Sequence, residues 1–215
     1  MEQPSVEQAG RGPAKQARGR RTRARLLTAG LTLLQQRDFD QIGIAELAAE
    51  AQSSIGAFYH HFADKEGFYD ALMAVAVSAE SERARAGLAA GADPGSSTPA
   101  LLRQAVALLR AATRDNQGLI RAALKKSMTD PEAWAPVRGF ARGFDAELVA
   151  HLEPRAGDFG CADWRERLAI GQQMVYGTLF NAIVNRPGPL QIEDERIVDE
   201  LTQMLLRQLE VSPRH

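Results

Sequence analysis

One stretch restricts the fold more than any other: Ile44 to Lys65, IAELAAEAQSSIGAFYHHFADK. Ile44, Leu47, Ala48 and Ala51 stand at i, i+3, i+4 and i+7, a single buried stripe on a two-turn helix. Gln52 and Ser53 break that pattern. Ser54 then supplies an oxygen that can accept a hydrogen bond from a free backbone N–H at the start of a second helix. This second helix, Ile55 to Phe62, begins with small residues (Gly56, Ala57) and ends crowded with Phe58, Tyr59, His60, His61 and Phe62. Two short helices about a tight turn, the second small-faced and then aromatic, predict a helix-turn-helix.

Leu47, Ala48, Ala51, Ser54, Gly56, Tyr59, His61, Phe62 and Lys65 also match, at fixed spacing, a known pattern. The segment resembles the DNA-binding motif of the TetR family of bacterial transcriptional regulators. So many positions at fixed spacing make the match specific, where a lone Tyr-x-His-Phe would be weak. Two positions depart from the family. Gln52 replaces the turn glycine, and a non-glycine residue held at positive φ costs about 1–2 kcal/mol. Gly43 stands where the family has Thr or Ser to cap the first helix; glycine is a tolerated cap without a hydroxyl to reach a phosphate. The resemblance is strong over about 20–85, and beyond that rests on helix count, order and length.

A net charge of −1 over 215 residues rules out a uniformly basic coat, so DNA binding requires local charge. The run from Arg11 to Arg25 supplies it, with Lys15, Arg18, Arg20, Arg21 and Arg23 between and no acid among them. In an arbitrary protein such a run is a solvated tail; directly before a helix-turn-helix it reads as a binding arm, with Arg20 and Arg21 entering a minor groove. Cys161 is the sole cysteine, so no intrachain disulfide forms. The first residues lack the apolar core of a secretory signal, and no apolar run approaches the roughly 20 residues that span a bilayer. The expectation is a soluble, cytoplasmic protein with no membrane partner.

Helical periodicity continues throughout, with no strand signal, and predicts an all-α fold of about nine helices. Residues 1–18 read as a disordered basic tail and 19–65 as a three-helix head, with Phe39 plugging its core. Asp64 is placed to cap a helix from Lys65 to about Leu88, and Thr98-Pro99 to start another after a Gly-, Pro- and Ser-rich loop. The spacing predicts a helix over 163–185 with two apolar faces. One face holds Leu168, Val175, Leu179 and Ile183; the other holds Ile170, Met174, Gly177, Asn181 and Val184. Such a helix is either central in its own subunit or shared with a partner. Residues 66–215 would then be the effector-binding and dimerisation domain that the resemblance implies.

The exposed start of the second motif helix offers Ser53, Ser54, Ile55, Gly56 and Ala57, with Gly43 at the first helix, to DNA. Ile55 and Ala57 suit thymine methyl groups, whereas Tyr59, His60, His61 and Lys65 suit phosphates. The alternative for Tyr59 and His61 is that they close the head's core. His60 and His61 point about 100° apart on a helix and cannot converge on one ion, so no metal is expected. No nucleophile elbow, phosphate-cradling loop or Cys–His pairing suggests catalysis, and no cofactor is implied. The resemblance implies a small effector among the middle helices, with Leu109, Trp134, Phe144, Gln173, Met174, Tyr176 and Gly177 as candidate liners. These are largely apolar, so a hydrophobic effector is expected, unless Arg138 or Arg142 meets a carboxylate. It further implies a homodimer through the last two helices, at Val175, Leu179, Ile183, Ile197, Leu201 and Leu205. The function expected is a ligand-responsive regulator, most often a repressor, on a palindromic double-stranded operator. The alternatives are an effector-independent structural or division-control protein and an all-helical enzyme on a borrowed scaffold.

Overall fold

A computed structural model describes residues 12–93 and 95–211. Among the described residues it holds nine α-helices, short 3-10 turns and one isolated antiparallel bridge, Phe159 to Val211. The chain forms two compact units, Met1–Met73 and Ala74–His215.

The first unit is the head. It contains α1 (Gly12–Leu34), α2 (Ile44–Glu50), α3 (Ile55–His61) and the first turns of α4 (Lys65–Gly91). Because α1 begins at Gly12, residues 12–18, expected in a disordered tail, are helical; the remainder of that tail, 1–11, lies outside the described residues. Pro13 is tolerated in a first turn, and Ala14, Lys15, Gln16, Ala17 and Arg18 are all good helix formers. At Gly30 a Cβ would stand 2.7 Å from the Phe68 ring, so only glycine lets α1 lie this close to the start of α4. Beneath them Phe39, Phe58, Phe62 and Phe68 are buried. Ring centroids lie 4.9 Å apart for Phe62 and Phe68 and 5.3 Å for Phe58 and Phe68. Burying one such ring contributes about 1.5–3 kcal/mol.

The second unit contains α5 (Thr98–Asp115), α6 (Gln117–Ser127), α7 (Ala135–Leu152), α8 (Trp164–Val184) and α9 (Arg196–Gln208). Leu101, Leu102, Ala105, Val106 and Leu109 make α5 its central apolar helix. The cap of α5 is Ser97 rather than the expected Thr98: Ser97 Oγ accepts from the Ala100 N–H at 3.3 Å. Thr98 is buried and its hydroxyl donates to Asp158 instead. A 3-10 turn, Glu153–Asp158, follows α7. Buried Arg110 is spent on structure, donating to Ile192 O, Glu193 O and Glu195 Oε1, each at 2.8 Å. At Gly171 a Cβ would stand 2.5 Å from Leu205 Cδ2, which marks the close approach of α8 and α9.

Candidate functional site

In the head, the turn between α2 and α3 is built from backbone bonds. Gln52 N–H donates to Ala49 O at 2.9 Å and Ser53 N–H to Ala48 O at 2.8 Å. That pair closes the end of α2 as a Schellman cap, whose left-handed residue is ordinarily glycine. Gln52 occupies it with φ 48°, the cost expected from sequence. Gly43 caps α2 without a side-chain bond, whereas Ser54 Oγ accepts from the Ala57 N–H at 3.1 Å and fixes the start of α3. Asp64 Oδ1 likewise accepts from the Gly67 N–H at 2.7 Å at the start of α4.

With its caps set and Phe58 buried, α3 has one face in the core and one in water. Ile55 and Tyr59, one turn apart, are 48% and 54% exposed, and Ser54, Gly56 and His60 lie exposed beside them. Ser53, Ala57, His61 and Lys65 are half-buried at the margin. Lys65 Nζ donates to Asp40 O at 3.2 Å and stands 4.7 Å from the Phe39 ring centre, so this cation is partly held by the head itself. His61 lies 3.6 Å from where a Gly19 Cβ would be. Burial, then repulsion from His60 and Arg23, holds its pKa below the usual 6.5. Arg20 and Arg21 are exposed and stand within α1, so the arm expected of them is helical. Sequence reasoning missed Arg23 as a structural residue: its guanidinium lies 5.3 Å over the Phe62 ring.

In the body, the expected ligand residues separate into three groups. Leu109 and Phe144 are buried. Trp134 and Tyr176 are half-buried about Phe180, with ring centroids 5.4 Å and 6.1 Å from it. Gln173, Met174 and Gly177 are exposed, because the helical turn carries them away from the face of α8 that bears Gln172 and Tyr176. Phe144 lines a cavity of 130 Å³ with Ala84, Arg85, Phe140, Gly143 and Glu147. A cleft of 850 Å³, bordered by Ser96, His151 and Arg155, holds none of the expected liners, and Arg155 there is bonded to Ala92 O and Asp93 O at 3.1 and 3.2 Å. Arg138 donates to Pro131 O at 3.0 Å and pairs with Glu132 at 3.3 Å.

Two polar residues that sequence reasoning missed form a cluster with Tyr176 through one oxygen of Asp145. The Tyr176 hydroxyl donates to Asp145 Oδ1 at 2.9 Å, and Gln172 Nε2 donates to the same oxygen at 3.2 Å. Burial pushes the Asp145 carboxyl above its usual range, while these two hydrogen bonds pull the other way. Gln172 falls between apolar positions on α8, but nothing in the sequence tied it to Asp145.

The residues expected at a dimer interface lie inside the single chain. Val175, Leu179, Ile183, Ile197, Leu201 and Leu205 are all buried within the single chain, where α8 and α9 pack in its own core. The second apolar face of α8 is the one in water: Ile170, Met174 and Val184 are 44%, 49% and 46% exposed. Cys161 is buried, with its thiol 3.4 Å from Leu209 O. Among the described residues no helix is long and apolar enough to cross a membrane.

Residues 26–72 match the model of the bacterial regulatory proteins of the tetR family. In structure the chain is similar to a Mesorhizobium loti protein assigned to the TetR family of transcriptional regulators. The TM-score is 0.71 at 17% identity, covering 88% of this chain and 97% of that one. A transcriptional regulator from a Rhodococcus species gives 0.65 at 22% identity over 89% and 99%. The TetR-family regulator PfmR of Thermus thermophilus gives 0.59 at 19% identity over 85% and 97%. At such identities the likeness is one of fold. No protein of curated function matches the chain by sequence.

Proposed function

We propose that the chain is a DNA-binding transcriptional regulator of the TetR family, a reading supported by the match of residues 26–72 to that family and by the shared fold, and that it is a cytoplasmic homodimeric repressor released from a palindromic operator by a small effector. In this reading residues 19–65 bind DNA and residues 66–215 bind the effector and the partner subunit. The protein is a binder and not a catalyst.

The observation that carries the reading is the pair Ile55 and Tyr59, large side chains in water on a short helix whose other face is core. A helix-turn-helix sets such a face in the major groove. Ile55 there meets a thymine methyl, which is base readout, while Tyr59, His60, His61, Lys65, Arg20 and Arg21 meet phosphates. Gly43, Ser53, Ser54, Gly56 and Ala57 border the same surface and allow close approach. Fluorescence anisotropy tests the division. Tyr59→Ala should weaken every duplex about equally, whereas Ile55→Asp should remove the preference for the operator. Equal loss on all sequences for both variants would sink the assignment of Ile55.

For the partner subunit, the exposed α8 face at Ile170, Met174 and Val184 replaces the residues named from sequence. Release follows if the effector prefers a body conformation that moves α4, since a ligand of equal affinity for both conformations shifts nothing. The effector-independent reading draws on the packing of Leu109 and Phe144 and the small 130 Å³ cavity. A thermal-shift screen against metabolites and drugs separates the two, because a ligand at a hundredfold excess over Kd stabilises by about 2.7 kcal/mol. Hits that release DNA support the repressor; hits without release, or no hits, support the alternative.

A further inference from the structure

We propose that Asp145, Gln172 and Tyr176, between α7 and α8, form the recognition point for an organic ammonium ligand with an aromatic or aliphatic body. The inference rests on the reading of the second unit as the effector domain.

The cluster is short of donors. Gln172 is 1% exposed; one N–H of its amide goes to Asp145, and its oxygen has no donor among the described residues. Turning the amide over would only set that oxygen against the carboxylate. A carbonyl buried without a donor costs about 1–3 kcal/mol, so a native protein keeps one where something else supplies the donor. Tyr176 has one proton to give, and it too goes to Asp145 Oδ1. Both donors of the cluster therefore serve one oxygen. No cation among the described residues pairs with this carboxylate. Burial raises the pKa of Asp145 against its two hydrogen bonds, and Tyr176 is raised by its own burial and then by the neighbouring Asp145 charge.

The complement of such a site is a positive group bearing N–H. A carboxylate ligand would be set against the Asp145 carboxylate and the unmet Gln172 oxygen, and Arg138 is already engaged with Pro131 O and Glu132. The surroundings suit a cation as well. Tyr176 and Phe180 are stacked, and Trp134 meets Phe180 edge-on at 5.4 Å, offering ring faces that attract an ammonium. Asp145 and Tyr176 are half-buried, with Gln172 the deepest of the three, so the cluster is approached from the surface.

The test is isothermal titration of the full chain with phenethylammonium, beside 2-phenylethanol and 3-phenylpropanoate. Phenethylammonium should bind at least tenfold more tightly than either comparator. Asp145→Asn should weaken it at least tenfold. Gln172→Leu should also weaken it while leaving the melting temperature unchanged or higher, because an unmet oxygen is removed. Equal affinity for the three compounds, no binding of phenethylammonium at millimolar concentration, or an Asp145→Asn variant that binds as well as the parent would overturn the proposal. Operator release, followed in parallel, keeps the two readings apart. Ammonium binding lost in Asp145→Asn but without release upholds the site and removes its role as effector site. Release by other compounds with no ammonium preference does the reverse.

Discussion

Gln52 holds a backbone conformation that glycine adopts freely, with φ 48° in the turn on which α3 depends. Gln52→Gly should therefore stabilise the protein by about 1 kcal/mol in thermal melts. Ser54→Ala, which removes the acceptor for the Ala57 N–H, should cost about 1 kcal/mol. His61 adds a pH dependence. Its depressed pKa means that the folded head binds fewer protons there than the unfolded chain, so stability falls as pH drops through about 6.5. In a complex that sets a phosphate beside the His61 ring, as proposed, the sign reverses, because the phosphate favours the charged form. Complex formation then takes up a proton, and operator affinity should rise as pH falls from about 7.5 to about 6. A His61→Gln variant should flatten that slope in anisotropy titrations; an unchanged slope would remove His61 from the phosphate contacts.

At the scale of elements, α8 decides most. Its two apolar faces look alike in the sequence, and periodicity cannot say which one meets the same chain. The structure turns Leu168, Val175, Leu179 and Ile183 inward and leaves Ile170, Met174 and Val184 in water. Met174→Glu with Val184→Glu should yield folded monomers by sedimentation velocity, whereas Leu179→Glu should unfold the body; a persisting dimer in the former would reject this face. Gly171 was equally silent in the sequence. Its hydrogen lets α9 approach until a Cβ would be 2.5 Å from Leu205, so Gly171→Val should cost about 1–3 kcal/mol through overpacking. The helix-turn-helix was legible because its signals are local: a stripe over Ile44–Ala51, a serine cap, an aromatic end. The start of α1 was misread because charge and a proline suggested disorder where helix formers prevailed.

For the whole molecule, what the sequence withheld lies in contacts between distant residues. Asp145 meets Gln172 and Tyr176, and Arg110 meets Ile192 and Glu195, across intervals that no periodicity spans. Such pairings assign the body's polar groups either to structure, as for Arg110, or to a ligand, as for Asp145. The most direct measurement is selection of bound duplexes from a random pool by the purified full-length protein, with Ile55→Asp in parallel. The account predicts enrichment of a two-fold symmetric site whose half-sites lie about one helical turn, roughly 34–36 Å, apart, with that enrichment lost in the variant. Recovery of no preferred sequence, or of the same site by Ile55→Asp, would contradict it.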